Sequence, residues 1–122
     1  MKVKIICGQL EITPGRPDLN YHKIIKTIDE ARSRKADILL LPEMALPGYL
    51  IGDLWEQQSF LDDCEYYAQQ IALHSKYICV MFGSVAVEAG KLNEDGRVRK
   101  YNAAFACHDG RLIGGYQGRS FI

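Results

Sequence analysis

The chain has 122 residues, 48% of them hydrophobic, and its 15 basic and 15 acidic side chains cancel. This length fits one domain with a real core, and the balanced charge gives no footprint for binding nucleic acid or an acidic membrane. No apolar run would serve as a signal peptide or a bilayer span, and the four cysteines form no CxxC pair. We therefore expect a cytoplasmic protein without a zinc site or disulfide framework.

The first third of the sequence predicts a strand, a helix and a second strand. Val3–Cys7 has the composition of a strand, and Asp18 or Asn20 is expected to cap the helix that follows a Pro- and Gly-containing loop. The apolar face of this helix is set by side chains at helical spacing: Tyr21, Ile24, Ile25, Ile28 and Ala31. Ile38–Leu41 is fully apolar and predicts a strand buried on both faces, which completes a parallel, right-handed β-α-β unit.

A second helix and a third strand are predicted next. Ser59 and Asp62 approximate a capping box at the start of the helix. Its buried stripe is formed by residues at helical spacing: Phe60, Leu61, Cys64, Tyr67, Ala68, Ile71 and Ala72. Tyr77–Phe82 predicts a buried strand that closes at Gly83 and Ser84, after which Val85 and Val87 continue in extended alternation.

The last third of the sequence predicts an antiparallel meander. The Asn-Glu-Asp-Gly segment at 93–96 is a strong turn signal, so Val98–Cys107 is expected to pair back as a hairpin strand. Residues 108–111 turn again into Leu112–Tyr116. The predicted order is β-α-β-α-β followed by a β-meander, which indicates an α/β layered fold.

The segment Leu41–Tyr49, with the sequence LPEMALPGY, is where we expect the chemistry. Pro42 removes a ladder donor and fixes φ, so the preceding strand must stop before it. Glu43 therefore emerges at the carboxyl end of a core strand, where open α/β sheets place their functional groups. The Pro47-Gly48 turn presents Tyr49, an aromatic side chain whose hydroxyl suits the wall of a small pocket.

This segment resembles the first signature of the nitrilase, or carbon–nitrogen hydrolase, superfamily. Its continuation, Gly-Tyr-x-x-x-Asp-Leu at 48–54, is similar to the N-terminal glutaminase domain of glutamine-dependent NAD synthetases, and the similarity runs from Val3 to Gln117. The resemblance implies that residues 1–122 are the first half of a nitrilase-type α-β-β-α sandwich. A lysine- and cysteine-bearing second half and an ATP-binding synthetase domain are expected outside this chain. The loss of the match after Gln117 favours a shifted reading frame or an artificial end.

The resemblance also implies a reaction. A cysteine thiolate attacks the carboxamide carbon of glutamine, ammonia leaves, and water then releases glutamate from the thioester. A glutamate acts as general base and then general acid, while a lysine stabilises the oxyanion. Glu43 matches that base, the alternative being a surface-loop carboxylate. Tyr49 matches the aromatic residue that lines the glutamine pocket, the alternative being plain packing.

The family's lysine and nucleophile find no match in this sequence. Tyr101–Ala104 and Asp109–Tyr116 match the approach to the lysine, but Gly118 stands at its position. The neighbouring Arg119 is a poor replacement, because a planar guanidinium is not equivalent to an ammonium. Cys64 imitates the nucleophile only superficially, since it lies on the apolar stripe of a helix. The other cysteines lie in strand patterns and are expected in the core: Cys7, Cys79 and Cys107. We therefore expect this polypeptide alone not to hydrolyse glutamine.

Expected ligands and partners follow from the same comparison. No cofactor is expected in this chain, because ATP and Mg²⁺ would belong to the missing synthetase domain, and scattered histidines predict no metal site. Glutamine or another small amide is the expected substrate of the full-length protein. A homo-oligomer is expected, because half a sandwich leaves an apolar face open. Two alternatives stay open: another nitrilase-family amidase, or a non-catalytic, shortened member that acts as a binding or oligomerisation protein.

Overall fold

A five-stranded mixed sheet with strand order β1-β2-β3-β4-β5 forms the centre of the fold. The computed structural model describes residues 2–92, 94, 96 and 98–121, and for 89–91 and 115–121 it describes the backbone alone. The elements in chain order are β1 (Ile5–Cys7), α1 (Pro17–Ser33), β2 (Ile38–Leu40), a 3₁₀ helix (Gly52–Glu56), α2 (Gln58–Leu73), β3 (Cys79–Leu92), β4 (Val98–His108) and β5 (Arg111–Phe121). Within the described ranges, neither α1 nor α2 has the length and apolarity to cross a membrane.

The sheet has a parallel half and an antiparallel half. β1 pairs with β2 and β2 with β3 in parallel, whereas β3, β4 and β5 form an antiparallel meander. The predicted parallel β-α-β unit and the meander are confirmed. Asp109 and Gly110 both have positive φ, 50° and 86°, which suits a tight hairpin turn between β4 and β5. The turn predicted at 93–96 includes Asn93 and Asp95, which lie outside the described residues.

The core lies between the two helices and one face of the sheet. One row of side chains runs across all five strands in register: Ile6, Leu39, Val80, Cys107 and Leu112. The three central members of this row are fully buried against α1 and α2. Ile38 and Leu40 point to the other face and are only partly buried, so the prediction that this strand is buried on both faces is wrong. Among the described residues, neither α1 nor α2 covers this second face at β2.

Helix α1 begins earlier than predicted. Pro17 occupies its first turn, where its fixed φ is already helical and its missing N–H costs nothing. Asp18 therefore lies inside the helix, where it pairs with Arg16 at 2.9 Å rather than capping. Asn20 is not a cap either. Its side chain is fully buried and bonds to the backbone of two loops, as described below.

Helix α2 also begins before its predicted cap. Gln57 is the last residue in extended conformation and Gln58 starts the helix, so Ser59 lies in the first turn and makes no capping bond. Gln58 instead donates a side-chain bond of 2.9 Å to Asp62. The predicted stripe is confirmed, with six members buried and Tyr67 partly buried against the core.

Strand β3 is longer than predicted and starts later. Tyr77 lies before the strand with φ +64° and is 83% exposed, so it is no part of a buried strand. The strand does not close at Gly83 and Ser84 but continues through them to Leu92. The reason is that β4 pairs with β3 continuously from Cys79 to Val87, including Gly83 opposite Ala104, and again at Leu92 after a register shift. Tertiary pairing thus overrides the glycine as a local stop signal.

Candidate functional site

The site is built on the loop that follows β2. The strand ends at Leu40, before Pro42, and Glu43 opens a turn at its carboxyl end with an exposed side chain, as the sequence predicted. Backbone bonds fasten this loop to β3 on both sides of Glu43. Before it, Leu41 N donates to Met81 O at 2.8 Å and Gly83 N donates to Pro42 O at 3.2 Å; after it, Leu46 N donates to Gly83 O at 3.2 Å. The position of Glu43 is therefore fixed by the sheet itself.

Gly83 allows this close contact between loop and strand. A Cβ at Gly83 would lie 2.3 Å from the Met44 backbone nitrogen and 2.8 Å from Glu43 Cα. Met44 adopts φ +52°, an uncommon conformation for a non-glycine residue, with its side chain buried. Sequence reasoning treated Gly83 only as the end of a strand. The contact identifies it as the residue on which the loop that carries Glu43 rests.

The buried amide of Asn20 holds the far end of the same loop. Its nitrogen donates to Leu46 O at 2.8 Å and to Thr13 O at 2.9 Å, and its oxygen accepts from Thr13 N at 2.8 Å. One side chain on α1 thus joins the loop after β1 to the loop after β2. An unsatisfied buried amide would cost about 1–3 kcal/mol, so these bonds specify the arrangement of the loops.

The loop after β2 ends at Gly48, which contacts the loop after β1. Gly48 has φ +85°, and a Cβ there would lie 2.7 Å from Pro14 Cα. Gly15 N donates to Pro47 O at 2.9 Å across the same contact. Only glycine fits this combination of positive φ and close backbone approach. The predicted Pro47-Gly48 turn is thereby explained, and Tyr49 follows it directly.

Three polar side chains meet on the face of the sheet that carries no helix. The Asn102 amide nitrogen donates to Glu43 Oε1, and the Tyr49 phenol interacts electrostatically with the same carboxylate. Partial burial, followed by the interaction with Glu43, raises the pKa of Tyr49 to about 12, while the contact with Asn102 opposes the shift. Tyr49 is 49% exposed and therefore stands at the rim of the site. The phenol therefore stays protonated at neutral pH.

Asn102 was not assigned a role by sequence reasoning. It lies within a segment that matches the family, but nothing in a strand pattern says which side chain on β4 will reach a loop after β2. The register places it there, because Asn102 pairs with Val85 two residues beyond Gly83. The signal in the sequence was an amide in a strand otherwise composed of small and apolar residues at 102–107.

An open groove of about 410 Å³ lies beside Glu43. Its floor is mostly apolar and its polar groups converge at one end. The residues that line it come from β2 and the following loop, β3 and β4: Leu40, Leu41, Pro42, Glu43, Met81, Phe82, Gly83, Asn102, Ala103 and Ala104. A few polar groups at one end of an apolar groove are typical of a site that orients a small ligand.

The cysteines divide into buried and exposed ones. Cys64 and Cys107 are buried as predicted, and burial raises the pKa of Cys64 to about 12 and that of Cys107 to about 11. Burial also raises the pKa of Cys79, which is half-buried. Cys7 is exposed, so its expected place in the core is wrong, because its strand position faces the side without helices. The two buried thiols are protonated at neutral pH and are not ready nucleophiles.

The remaining predicted positions give less information. Gly118 and Arg119 lie on β5, but their side chains are outside the described ones. His74 Nε2 lies 2.8 Å from Asp29 Oδ1, in a contact between α2 and α1. Among the residues whose placement is described, no three His, Cys, Asp or Glu side chains are grouped so that they could hold a metal ion.

Comparison with known proteins places this fold and site in a family. The family model for carbon-nitrogen hydrolases matches residues 4–120. The mixed five-stranded sheet with its two helices has the α/β architecture of the nitrilase fold. The chain belongs to the carbon–nitrogen hydrolase family.

Individual relatives show which members of the family the chain is similar to. The chain is 33% identical over 116 residues to the glutamine-dependent NAD(+) synthetase of Thermotoga maritima and 36% identical over 115 residues to that of Aquifex aeolicus. These alignments cover 95% and 94% of the chain but 19% of each relative. The crystal structure of a glutamine-dependent NAD(+) synthetase from Cytophaga hutchinsonii superposes with a TM-score of 0.81 at 26% identity, covering 93% of this chain and 18% of that one. The chain thus spans about a fifth of the length of these relatives.

Proposed function

We propose that this chain contributes the N-terminal part of a glutamine amidohydrolase domain that supplies ammonia for NAD synthesis. The observation that carries the proposal is the carboxylate of Glu43, which Asn102 and Tyr49 contact beside an apolar groove. The similarity to NAD synthetases supports glutamine as the amide. Another amidase substrate is the alternative within the same family.

In the proposed reaction Glu43 is the general base. It takes the proton of a cysteine thiol, whose thiolate attacks the carboxamide carbon, and then returns a proton to the departing ammonia. Water hydrolyses the resulting thioester to glutamate, with Glu43 again as base. Tyr49 is proposed to wall the glutamine pocket and, through its interaction with the carboxylate, to keep Glu43 aimed at the groove.

We further propose that the 122 residues alone do not hydrolyse glutamine. The reaction needs a cysteine thiolate and a cationic oxyanion partner beside Glu43. The buried thiols of Cys64 and Cys107 are poorly suited, because burial keeps both protonated. No bound cofactor is proposed for this chain, and ATP and Mg²⁺ are assigned to a synthetase domain of the whole protein.

A chimera tests the role of Glu43. Residues 4–116 of this chain replace the matching segment of the Thermotoga maritima synthetase, so that the remaining glutaminase residues come from that relative. Ammonia released from glutamine is measured for the chimera and for its Glu43→Gln variant. We expect a loss of about 10²-fold or more in kcat/KM, the range for removal of a general base.

The matched control is Glu11→Gln, the same change at an exposed carboxylate before α1. It should leave kcat/KM within about twofold, since surface substitutions away from special features have small effects. Equal activity of the Glu43 and Glu11 variants would show that Glu43 is not the base. Ammonia release by the unfused 122-residue chain, lost on Glu43→Gln, would overturn the proposal that it is inactive alone.

We also propose that the chain self-associates. Apolar side chains are exposed on and around the strands, including Ile5 at 52%, Met81 at 37% and Ile113 at 61%. Exposed apolar surface of this kind favours association with another copy. Light scattering during size-exclusion chromatography gives the mass directly. A monodisperse oligomer is expected, and a stable monomer at micromolar concentration would contradict the proposal.

A further inference from the structure

Lys100 is a buried cation close to the candidate site. Its side chain lies on β4 and is 2% exposed. The ammonium donates to Val98 O at 3.0 Å and lies 3.7 Å from Glu56 Oε1. Glu56 is the last residue of the 3₁₀ helix, and it is 32% exposed.

Stability alone does not explain a lysine at this position. Burying an ammonium costs several kcal/mol, and an ion pair often returns no more than that. Replacing a buried pair by apolar side chains of similar volume is frequently neutral or stabilising. The register partner of Lys100 is Val87, so an apolar residue would suit the same surface. The better-supported use of a buried pair is to fix the register of two elements.

The two elements are β4 and the segment of residues 43–56, which carries Glu43 and Tyr49. Lys100 and Asn102 are two residues apart on one strand, so their side chains lie on the same face about 7 Å apart. Asn102 donates to Glu43, at the start of segment 43–56, and Lys100 pairs with Glu56 at its end. Tyr49 lies between these two attachment points.

Packing beneath the segment supports the same arrangement. Trp55, next to Glu56, belongs to a second buried cluster with Met44 and Val85. Trp55 also makes an edge-on contact with Phe60 at a centroid distance of 5.7 Å. Apolar packing holds the segment against the sheet without fixing its position along the strand, whereas an ion pair favours one position of the segment's end.

We propose that Lys100 is a positioning residue, which through Glu56 fixes the end of segment 43–56 to β4 and so sets the placement of Tyr49 against the Glu43 carboxylate. The consequence for glutamine binding rests on the proposed function. The structural statement does not, because it concerns contacts within this chain that can be measured without any turnover.

The test uses the 122-residue chain and the variant Lys100→Met, which keeps the length of the side chain and removes its charge. Two quantities are measured: hydrogen exchange of backbone amides at 52–57, and the pKa of Tyr49 from a ¹³C-tyrosine NMR titration assigned with Tyr49→Phe. We expect about tenfold faster exchange at 52–57 and a Tyr49 pKa that falls from about 12 toward 10. Far-UV circular dichroism and the exchange of core amides in β2 and β3 should stay unchanged.

Further variants make the outcome decisive. Glu56→Gln removes the other partner and should reproduce both changes, and it carries the test if Lys100→Met does not fold. The double exchange Lys100→Glu with Glu56→Lys should restore part of the protection. Lys26→Met, at an exposed position on α1, is the matched control and should change neither quantity. Unchanged exchange and an unchanged Tyr49 pKa in a folded Lys100→Met or Glu56→Gln variant would overturn the proposal. If the chimera with the Thermotoga maritima synthetase releases no ammonia from glutamine, that result counts against the proposed function and not against the role of Lys100.

Discussion

The two faces of the sheet differ sharply although neighbouring residues of the same strands form them. The row with Leu39 at its centre is buried against α1 and α2. The next row along the strands faces the opposite way: Cys7, Leu40, Met81, Ala106 and Gly114. Among the described residues, neither α1 nor α2 packs on this row, and Met81 is 37% exposed. The groove beside Glu43 opens on this second face.

The two faces therefore contribute differently: one mainly stabilises the fold, and the other carries the candidate site. The covered face supplies most of the apolar burial, at about 2–3 kcal/mol for each fully buried large side chain. The open face holds the carboxylate of Glu43, the amide of Asn102 and the phenol of Tyr49, the groups to which we assign the proposed chemistry. A rigid, packed layer on one side of the sheet can therefore position polar groups on the other. Four predictions test this division, from the largest expected effect to the smallest.

Leu39→Ala should destabilise the protein most, by about 2–5 kcal/mol, because it opens a cavity in a fully buried core. Leu40→Ala is the same chemical change on the other face and should cost less than half as much, since Leu40 is only partly buried. Urea unfolding followed by circular dichroism measures both. Equal losses of unfolding free energy would show that the open face is as well packed as the covered one.

Gly83→Ala should destabilise by about 1–3 kcal/mol, because the new methyl group would meet the backbone at Met44 and Glu43. The displaced loop should also separate Tyr49 from Glu43, so the pKa of Tyr49 should move down from about 12 toward 10. The control is Gly114→Ala on β5, where an added Cβ has nothing within 4 Å. An unchanged Tyr49 pKa in Gly83→Ala would contradict the role assigned to this contact.

The thiols should react at very different rates in the folded protein. Cys7 is exposed, whereas Cys64 and Cys107 are buried with raised pKa values of about 12 and about 11. At pH 8, labelling of the two buried thiols by a disulfide reagent should be slower than that of Cys7 by about 100-fold or more, since it awaits local opening. Peptide mapping after timed quenching assigns the rates, and 6 M urea should make all four alike. Fast labelling of Cys64 in the folded protein would make Cys64 a candidate nucleophile again.

The smallest effect is expected at Tyr49. Its pKa in the folded chain lies above the ordinary value of 10, so the folded state holds the proton more tightly than the unfolded state. The resulting stabilisation is fully present below pH 10 and is lost as the pH rises through about 12. The side chain is half exposed, so we expect less than about 1 kcal/mol. The free energy of unfolding is measured against pH for the wild type and for Tyr49→Phe. The difference between the two gives the contribution of Tyr49, because the contribution of the buried cysteines is the same in both. An identical pH dependence would show that the contact with Glu43 is absent in solution.

Local patterns in the sequence were sufficient for most of the fold. The helical spacing in α1 and α2, the short apolar run of β2 and the alternation in the meander each reflect side-chain periodicity, which a chain displays before it folds. The errors lie at element boundaries, at Gly83, and in the burial expected for Cys7 and for both faces of β2. At Gly83 the outcome depends on pairing between β3 and β4, and the burial depends on which face the helices cover; no local window contains either.

The candidate site was predictable only in part. Pro42 and the LPEMALPGY segment were enough to place Glu43 at a strand end and Tyr49 after a turn. Asn102 and Lys100 were missed, because their significance depends on the strand register that brings them to segment 43–56. Asn20 was misread as a cap for the same reason, since its partners at Thr13 and Leu46 lie 7 and 26 residues away.

The sequence by itself determined the class of the fold, its family and the position of Glu43 at the end of a strand. These follow from periodicity and from a contiguous motif, both of which are properties of short segments. Only the tertiary structure decided which face of the sheet is covered, why Gly83 must be glycine, and which side chains contact Glu43 and segment 43–56. Those features depend on contacts between residues far apart in the chain, and such contacts form only when the sheet fixes register and distance together.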